Sequence, residues 1–282
     1  MGRVPAVWLV LGGIVSVQLG AAVAKDLFTE ISPTAMVWLR LTTSAVVLLV
    51  LVRPRLRGRT RADWAVVLAY GVAMLSMNWA IYLSFARIPL GVAVAIEFLG
   101  PLLLAVAMSR RARDLVWVAL AGVGVALLGV ERADLDPVGV GFALLAGAAW
   151  AAYILLSART GRRWEGLTGL AGASLVGAVV LAGPAVASAG SDLLDWRIIG
   201  LGVLIGVLSS VIPYSCELIA LRVLPERVFS VLMSLEPAAA ALAAVVVLQE
   251  FLTPWQVVAV ACVVAASIGA TRSAAPVREV HP

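Results

Sequence analysis

Long apolar runs separated by short polar turns fill this chain. Ten of them, at about 5–24, 34–52, 64–85, 90–108, 115–130, 138–157, 166–188, 198–220, 228–248 and 254–271, approach the roughly 20 residues that an α-helix needs to cross hydrocarbon. The runs are continuous in Leu, Val and Ala, without the alternating ten-residue segments of a barrel, so the pattern predicts helices. The expected fold is an all-α polytopic membrane protein with ten transmembrane helices.

Polar positions inside those runs come next. Pro89 is followed twelve residues later by Pro101, with Glu97 between them; Pro225 is followed twelve residues later by Pro237, with Glu236 between them. A carboxylate within hydrocarbon is expensive and marks an ion or substrate pathway by default. Its recurrence in two matched, proline-interrupted helices points to a transporter site at a repeat interface.

Composition agrees: 62% of the 282 residues are hydrophobic and 13% charged, against roughly 45–50% and about 25% in soluble domains. The net charge of +5 suggests no nucleic acid, because the arginines sit between apolar spans. With the N-terminus cytoplasmic, sixteen arginines (Arg3, Arg53 to Arg61, Arg110 to Arg113, Arg159 to Arg163, Arg222, Arg227, Arg272 and Arg278) fall inside. Only Lys25, Arg87, Arg132 and Arg197 fall outside, a strong positive-inside bias. Both termini are expected in the cytoplasm and the chain in a bacterial inner membrane. Arg3, the first run and Ala22-Val23-Ala24 have the look of a secretory leader, but the run is long enough to span and is read as the first helix. Cys216 and Cys262 are expected to be buried thiols.

The halves resemble each other. Residues 82–89 match 217–225 with one inserted residue, Pro101 onward matches Pro237 onward, and Trp117 and Trp255 open the last run of each half. A five-helix unit at 5–130 is repeated at 138–272. Five is odd, so the second copy enters the membrane from the opposite side, and the copies form inverted repeats with a site between them. Gly202, Gly206 and Ser210 form one small-residue row, and Ala261, Ala265 and Gly269 another; both predict close helix packing, with a dimer face as the alternative.

The stretch from Leu235-Glu236-Pro237 to Gln249-Glu250-Phe251-Leu252-Thr253 resembles the closing motif of EamA-type domains in the drug/metabolite transporter superfamily. Arg40 resembles the arginine common at that place in the first copy. Residues 89–98, 212–221 and 230–237 look like the threonine/homoserine exporters of that superfamily. The first copy departs from the motif, with Ala112-Arg113-Asp114 where Leu248-Gln249-Glu250 stands. The resemblance implies an inner-membrane amino-acid exporter driven by the proton gradient. It also implies a cavity lined by helices one to four and six to nine, with five and ten peripheral.

An amino acid is a zwitterion, so its site needs an acceptor for the ammonium and a donor for the carboxylate. Glu97, Glu217 and Glu236 are candidate acceptors; Arg40, Asn78 or the half-helix N-termini near Pro101 and Pro237 are candidate donors. Glu97 and Glu236 are the proton-coupling candidates, because desolvation disfavours the charged carboxylate. The bland alternatives are a structural pair of Glu97 with Arg40, a Glu236 carboxyl bonded to backbone freed by Pro237, Glu217 at the wet interface, and Arg40 snorkelling. Asn78 and Tyr82 share a helix face, as do Tyr214 and Glu217, and Trp150 and Tyr153; these rank lower, because aromatic residues also serve as anchors and packing.

No phosphate-binding loop, metal cluster, cofactor motif or catalytic constellation competes, and the one histidine, His281, is next to the end. The sequence therefore predicts a secondary transporter, monomer or homodimer, whose partners are lipid, protons and a small amino acid. Efflux of drugs or of another metabolite by the same fold is the alternative within transport. A membrane enzyme or receptor-like scaffold would need a sizeable soluble loop, and every loop here is short.

Overall fold

Capping signals start the helices where the apolar runs begin. Ser32 accepts from the Ala35 amide and precedes Pro33, Thr60 and Asp63 form a reciprocal capping box, and Asp136 and Asp195 accept from Val138 and Arg197. The computed structural model describes residues 3–53, 58–109, 114–130, 135–221 and 223–273. Arg55, Arg57, Arg110, Arg111, Ala112, Arg113, Arg132, Arg222, Arg278 and His281 lie outside the described residues.

The elements are α1 (Arg3–Asp26), α2 (Pro33–Val52), α3 (Arg61–Phe85), α4 (Leu90–Glu97), α5 (Leu99–Ser109), α6 (Leu115–Val130), α7 (Pro137–Gly161), α8 (Thr168–Ala189), α9 (Trp196–Gly206), α10 (Ile212–Leu221), α11 (Glu226–Met233), α12 (Glu236–Ala243) and α13 (Pro254–Ser273). Among the described residues there is no strand. Nine stretches of the described residues are long and apolar enough to cross a membrane, and α6 supplies a shorter apolar tenth. Three predicted spans are composite. The fourth is α4 followed by α5, the eighth is α9 and α10 joined by a π segment (Val207–Val211), and the ninth is α11 and α12 ending in a π segment (Ala244–Leu248).

The outer surface is apolar. Val46 and Val50 on α2, Val179 and Val186 on α8, and Leu242 on α12 are all more than half exposed. Contiguous exposed apolar surface of this kind needs lipid against it. This is a multi-pass membrane protein.

Inside, α3 packs on α7, α2 on α8, α6 on α13 and α1 on α10. The row on α9 is packing surface: Gly202 backs onto Leu39 and Gly206 onto Thr43, both on α2, where added Cβ atoms would fall 2.7 and 2.6 Å from those side chains. The row on α13 does not act as a unit. Gly269 lies against the Trp117 ring, while Ala261 and Ala265 are exposed, because α6 covers the α13 face carrying Ala266 and Ala270. Cys216 and Cys262 are free and half-buried rather than fully buried.

Candidate functional site

Two helix breaks build the site. Pro89 starts α4 with φ −56° and ψ 139°, and Pro225 starts α11 with φ −57° and ψ 138°. Each short helix is eight residues long and is closed by Phe98 (φ −62°, ψ −15°) or Ser234 (φ −63°, ψ −11°). The cause is chemical: Pro101 has no N–H for the Glu97 carbonyl, and Pro237 has none for that of Met233. The first break is closely backed. A Cβ on Gly147 of α7 would sit 2.6 Å from the Glu97 carbonyl oxygen, and one on Gly100 would sit 1.9 Å from that of Gly147. Only glycine allows that approach. Glu97 therefore closes α4, and Glu236 opens α12.

A third proline sets the arginine. Pro213 cannot donate to the Ser209 carbonyl, within the π segment. That carbonyl accepts from Arg40 Nη2 at 3.0 Å. Arg40 Nη1 donates to the Tyr82 hydroxyl at 3.3 Å, and Nε reaches Ser210 Oγ at a long 3.5 Å. The guanidinium thus spends three of its five N–H groups on positioning.

These side chains meet at one cavity of about 170 Å³. Arg40, Asn78, Tyr82, Glu97, Trp150, Tyr153, Glu217 and Glu236 all line it, with Gln18, Ser209, Pro213 and Met233 among the others. Tyr214 stands on α10, and its side chain lies outside the described residues. The lining comes from α1, α2, α3, α4, α7, α10, α11, α12 and the first π segment. Both α6 and α13 stay outside. So does α8, the seventh span, which the resemblance placed around the cavity; α8 packs behind α2 and α3 instead.

The charges in the cavity are not paired off. Among the described residues the ion pairs are Lys25–Glu250, Arg87–Asp136, Arg163–Asp63 and Arg197–Glu30; none joins Arg40 to Glu97. Nor does a described residue hydrogen-bond the carboxyl groups of Glu97, Glu217 or Glu236. The structural pair, the backbone-bonded Glu236 and the snorkelling Arg40 all give way to side chains turned into one hollow. Glu97, Glu236 and Arg40 are 7%, 9% and 8% exposed. Three acceptors and one cation around a small space can hold a molecule that is itself cationic and anionic at once.

A second cavity of about 240 Å³, lined by Tyr70, Ser157, Thr160, Trp164 and Leu167, shares Tyr153 and Glu217 with the first. Glu217 thus stands between the two hollows, partly exposed. Tyr153 stacks on Tyr70 with ring centroids 5.0 Å apart. At the opposite end of the bundle, Lys25 Nζ pairs with Glu250 Oε1 at 2.6 Å and donates to the Ile88 carbonyl at 2.8 Å. The other Glu250 oxygen accepts from the Leu90 amide at 3.0 Å, at the start of α4.

Comparison with known proteins agrees with this arrangement. The model of the EamA-like transporter family matches residues 137–272. The threonine/homoserine exporter RhtA of Escherichia coli (strain K12) is 40% identical over 272 residues, 94% of this chain and 92% of that protein. The chain belongs to the EamA-like transporter family. The same exporter of Salmonella typhimurium (strain SL1344) is 39% identical over the same length. A solved crystal structure, 19% identical, matches with a TM-score of 0.63 over 98% of this chain and 100% of that one, a likeness of fold alone. In this EamA-like transporter the family segment carries Trp150, Tyr153, Glu217 and Glu236, and the part before it carries Arg40, Asn78, Tyr82 and Glu97. The cavity needs both.

Sequence reasoning missed Gln18, Ser209 and Met233. A lone glutamine in the first apolar run was the available signal for Gln18. Pro213 was the signal for a freed carbonyl at Ser209.

Proposed function

We propose that this transporter exports small neutral amino acids, threonine and homoserine foremost, across the bacterial inner membrane in exchange for protons. The observation that carries the reading is the unpaired set of three carboxyl groups and one arginine around a cavity of about 170 Å³. That volume is below the ~300 Å³ at the small end of drug-sized pockets, which favours a metabolite over a drug. The names of the relatives agree in substrate class.

Arg40 keeps two N–H groups for a substrate carboxylate, and the glutamates take the ammonium. Glu97 and Glu236 carry the proton in this reading. A buried carboxylate without a partner is costly, so each needs either a proton or an ammonium, and competition between them couples the fluxes. The near-identical torsions at Pro89 and Pro225, and again at Phe98 and Ser234, support two inverted five-helix repeats, 5–130 and 138–272. The positive-inside bias puts the second cavity on the cytoplasmic side, with both termini, and the Lys25–Glu250 contact on the outer side. The cavity is then entered from the cytoplasm and shut from outside. One chain completes it, so a monomer suffices.

The test is uptake of labelled threonine into proteoliposomes under an imposed pH gradient. Glu97→Gln removes one charge-assisted contact, about 1.5–3 kcal/mol, and slows gradient-driven exchange about 10- to 100-fold. Equal rates for wild type and variant would take Glu97 out of the coupling role.

A further inference from the structure

Gln18 is a polar cavity group that neither the charge argument nor the family resemblance uses. It sits on α1 between two other lining residues, Val17 and Ala21, and is 5% exposed. No described residue hydrogen-bonds its amide. The contrast with Asn78 is informative: Asn78 Nδ2 donates to the Met74 carbonyl, its own helix, at 2.8 Å. The amide of Gln18 is uncommitted, and it is not sealed in a dry contact, because its side chain forms part of the cavity wall. A buried polar group left without a partner is costly, so something in the cavity must bond to it.

The other polar groups restrict what that something is. Carboxylates only accept, and a guanidinium only donates. Together they satisfy the charged head that every α-amino acid shares, and so they cannot tell one neutral amino acid from another. A primary amide both donates and accepts, and it carries no charge. Its complement is a neutral group that also does both, which is a hydroxyl. Resting on the amino-acid export reading above, we propose that Gln18 reads the side-chain hydroxyl of the substrate and is the residue that makes the site prefer hydroxy amino acids over aliphatic ones.

One analogue tests this for both substrates. Removing the hydroxyl from either threonine or homoserine leaves the same molecule, 2-aminobutyrate. Each is offered to proteoliposomes containing the full chain, and the threonine to 2-aminobutyrate rate ratio is the readout. A merely structural role for Gln18 would lower both rates together and leave the ratio alone. Wild type should favour threonine. In Gln18→Met, similar in length but without the amide, the ratio should fall about tenfold, equivalent to about 1.4 kcal/mol. Gln18→Asn keeps the amide but draws it back, and should lower the ratio less; it supplies the same readout should the Met variant fail to assemble. A ratio that does not move in either variant overturns the proposal, as does a wild type that moves the two equally well. Failure of the wild type to move any amino acid would instead sink the export reading itself.

Discussion

The two ends of the bundle are held in different ways. At the Lys25 end the ties join several different pairs of elements around the bundle. Lys25 on α1 meets Glu250, beyond α12, and Glu250 reaches the start of α4. Arg87, after α3, meets Asp136, before α7; Arg197 on α9 meets Glu30, beyond α1. At the other end, the described ion pair is Arg163–Asp63, joined by Arg59 donating to the Arg163 carbonyl and by Trp164 Nε1 donating to the Asp63 carbonyl. All of these stay among α3, the turn before it and the turn between α7 and α8. The second cavity opens beside them, between Tyr70 and Glu217. Among the described contacts, one end is clasped at three places around the bundle, and the other is tied at one place, beside a hollow. A carrier that exposes one site alternately needs this asymmetry in any one state, and needs it to reverse.

Breaking the clasp should have the largest effect. Removing one partner of a fully buried pair costs 3–5 kcal/mol. The side chains of Lys25 and Glu250 are 15% and 25% exposed, so about 2 kcal/mol is expected here, a ~30-fold shift toward the state open at that end. Labelling Ala21→Cys, in the cavity wall, with an impermeant maleimide from outside should be ~30-fold faster with Lys25→Ala, in a background without Cys216 and Cys262. Equal labelling rates would mean that the clasp does not hold this end shut. Exchanging the charges, Lys25→Glu with Glu250→Lys, should rescue only in part. The swap restores the pair but leaves the Leu90 amide and the Ile88 carbonyl without partners.

A smaller effect is expected at the hollow end. The Tyr70–Tyr153 stack is worth about 0.5–1.5 kcal/mol, so Tyr70→Ala should change the rate of threonine efflux by about two- to tenfold. A hundredfold loss would instead put Tyr70 in contact with substrate; an unaltered rate would remove the stack from the passage.

Unequal parts of this design were legible in the sequence. Span positions and the charged lining could be read because hydrocarbon leaves no alternative: a Glu97 or Arg40 in an apolar run has to be used. The helix breaks were visible as Pro101 and Pro237. Gln18 was harder to see, because a neutral amide costs less in an apolar run than a charge and signals less. The clasp had no local signal at all. Lys25 and Glu250 sit at helix ends, where charges are ordinary, and only the packing of α1 against the far half of the chain brings them together. Likewise, nothing in the composition of Val207–Val211 announces a π segment. It forms where Pro213 removes a donor and Arg40 replaces it.

The smallest effect belongs to Arg87–Asp136, the other contact at the Lys25 end that is easily isolated. Its side chains are 45% and 31% exposed, and exposed pairs contribute little. Asp136→Asn should leave transport within about threefold of wild type. Its pH dependence still distinguishes it from the clasp. The hydrogen bond from Arg87, aided by the Val138 amide, holds the Asp136 carboxyl below the usual carboxylate range. A depressed carboxyl contributes stability above its unfolded value, about 3.9, and loses that contribution as the pH falls through the folded value. The difference in melting temperature between wild type and Asp136→Asn should therefore be flat from pH 5 to 8 and shrink only in stronger acid. A difference that disappeared near pH 6 would show that a second titrating group governs this contact, and that the Lys25 end is held by more than the ion pairs described.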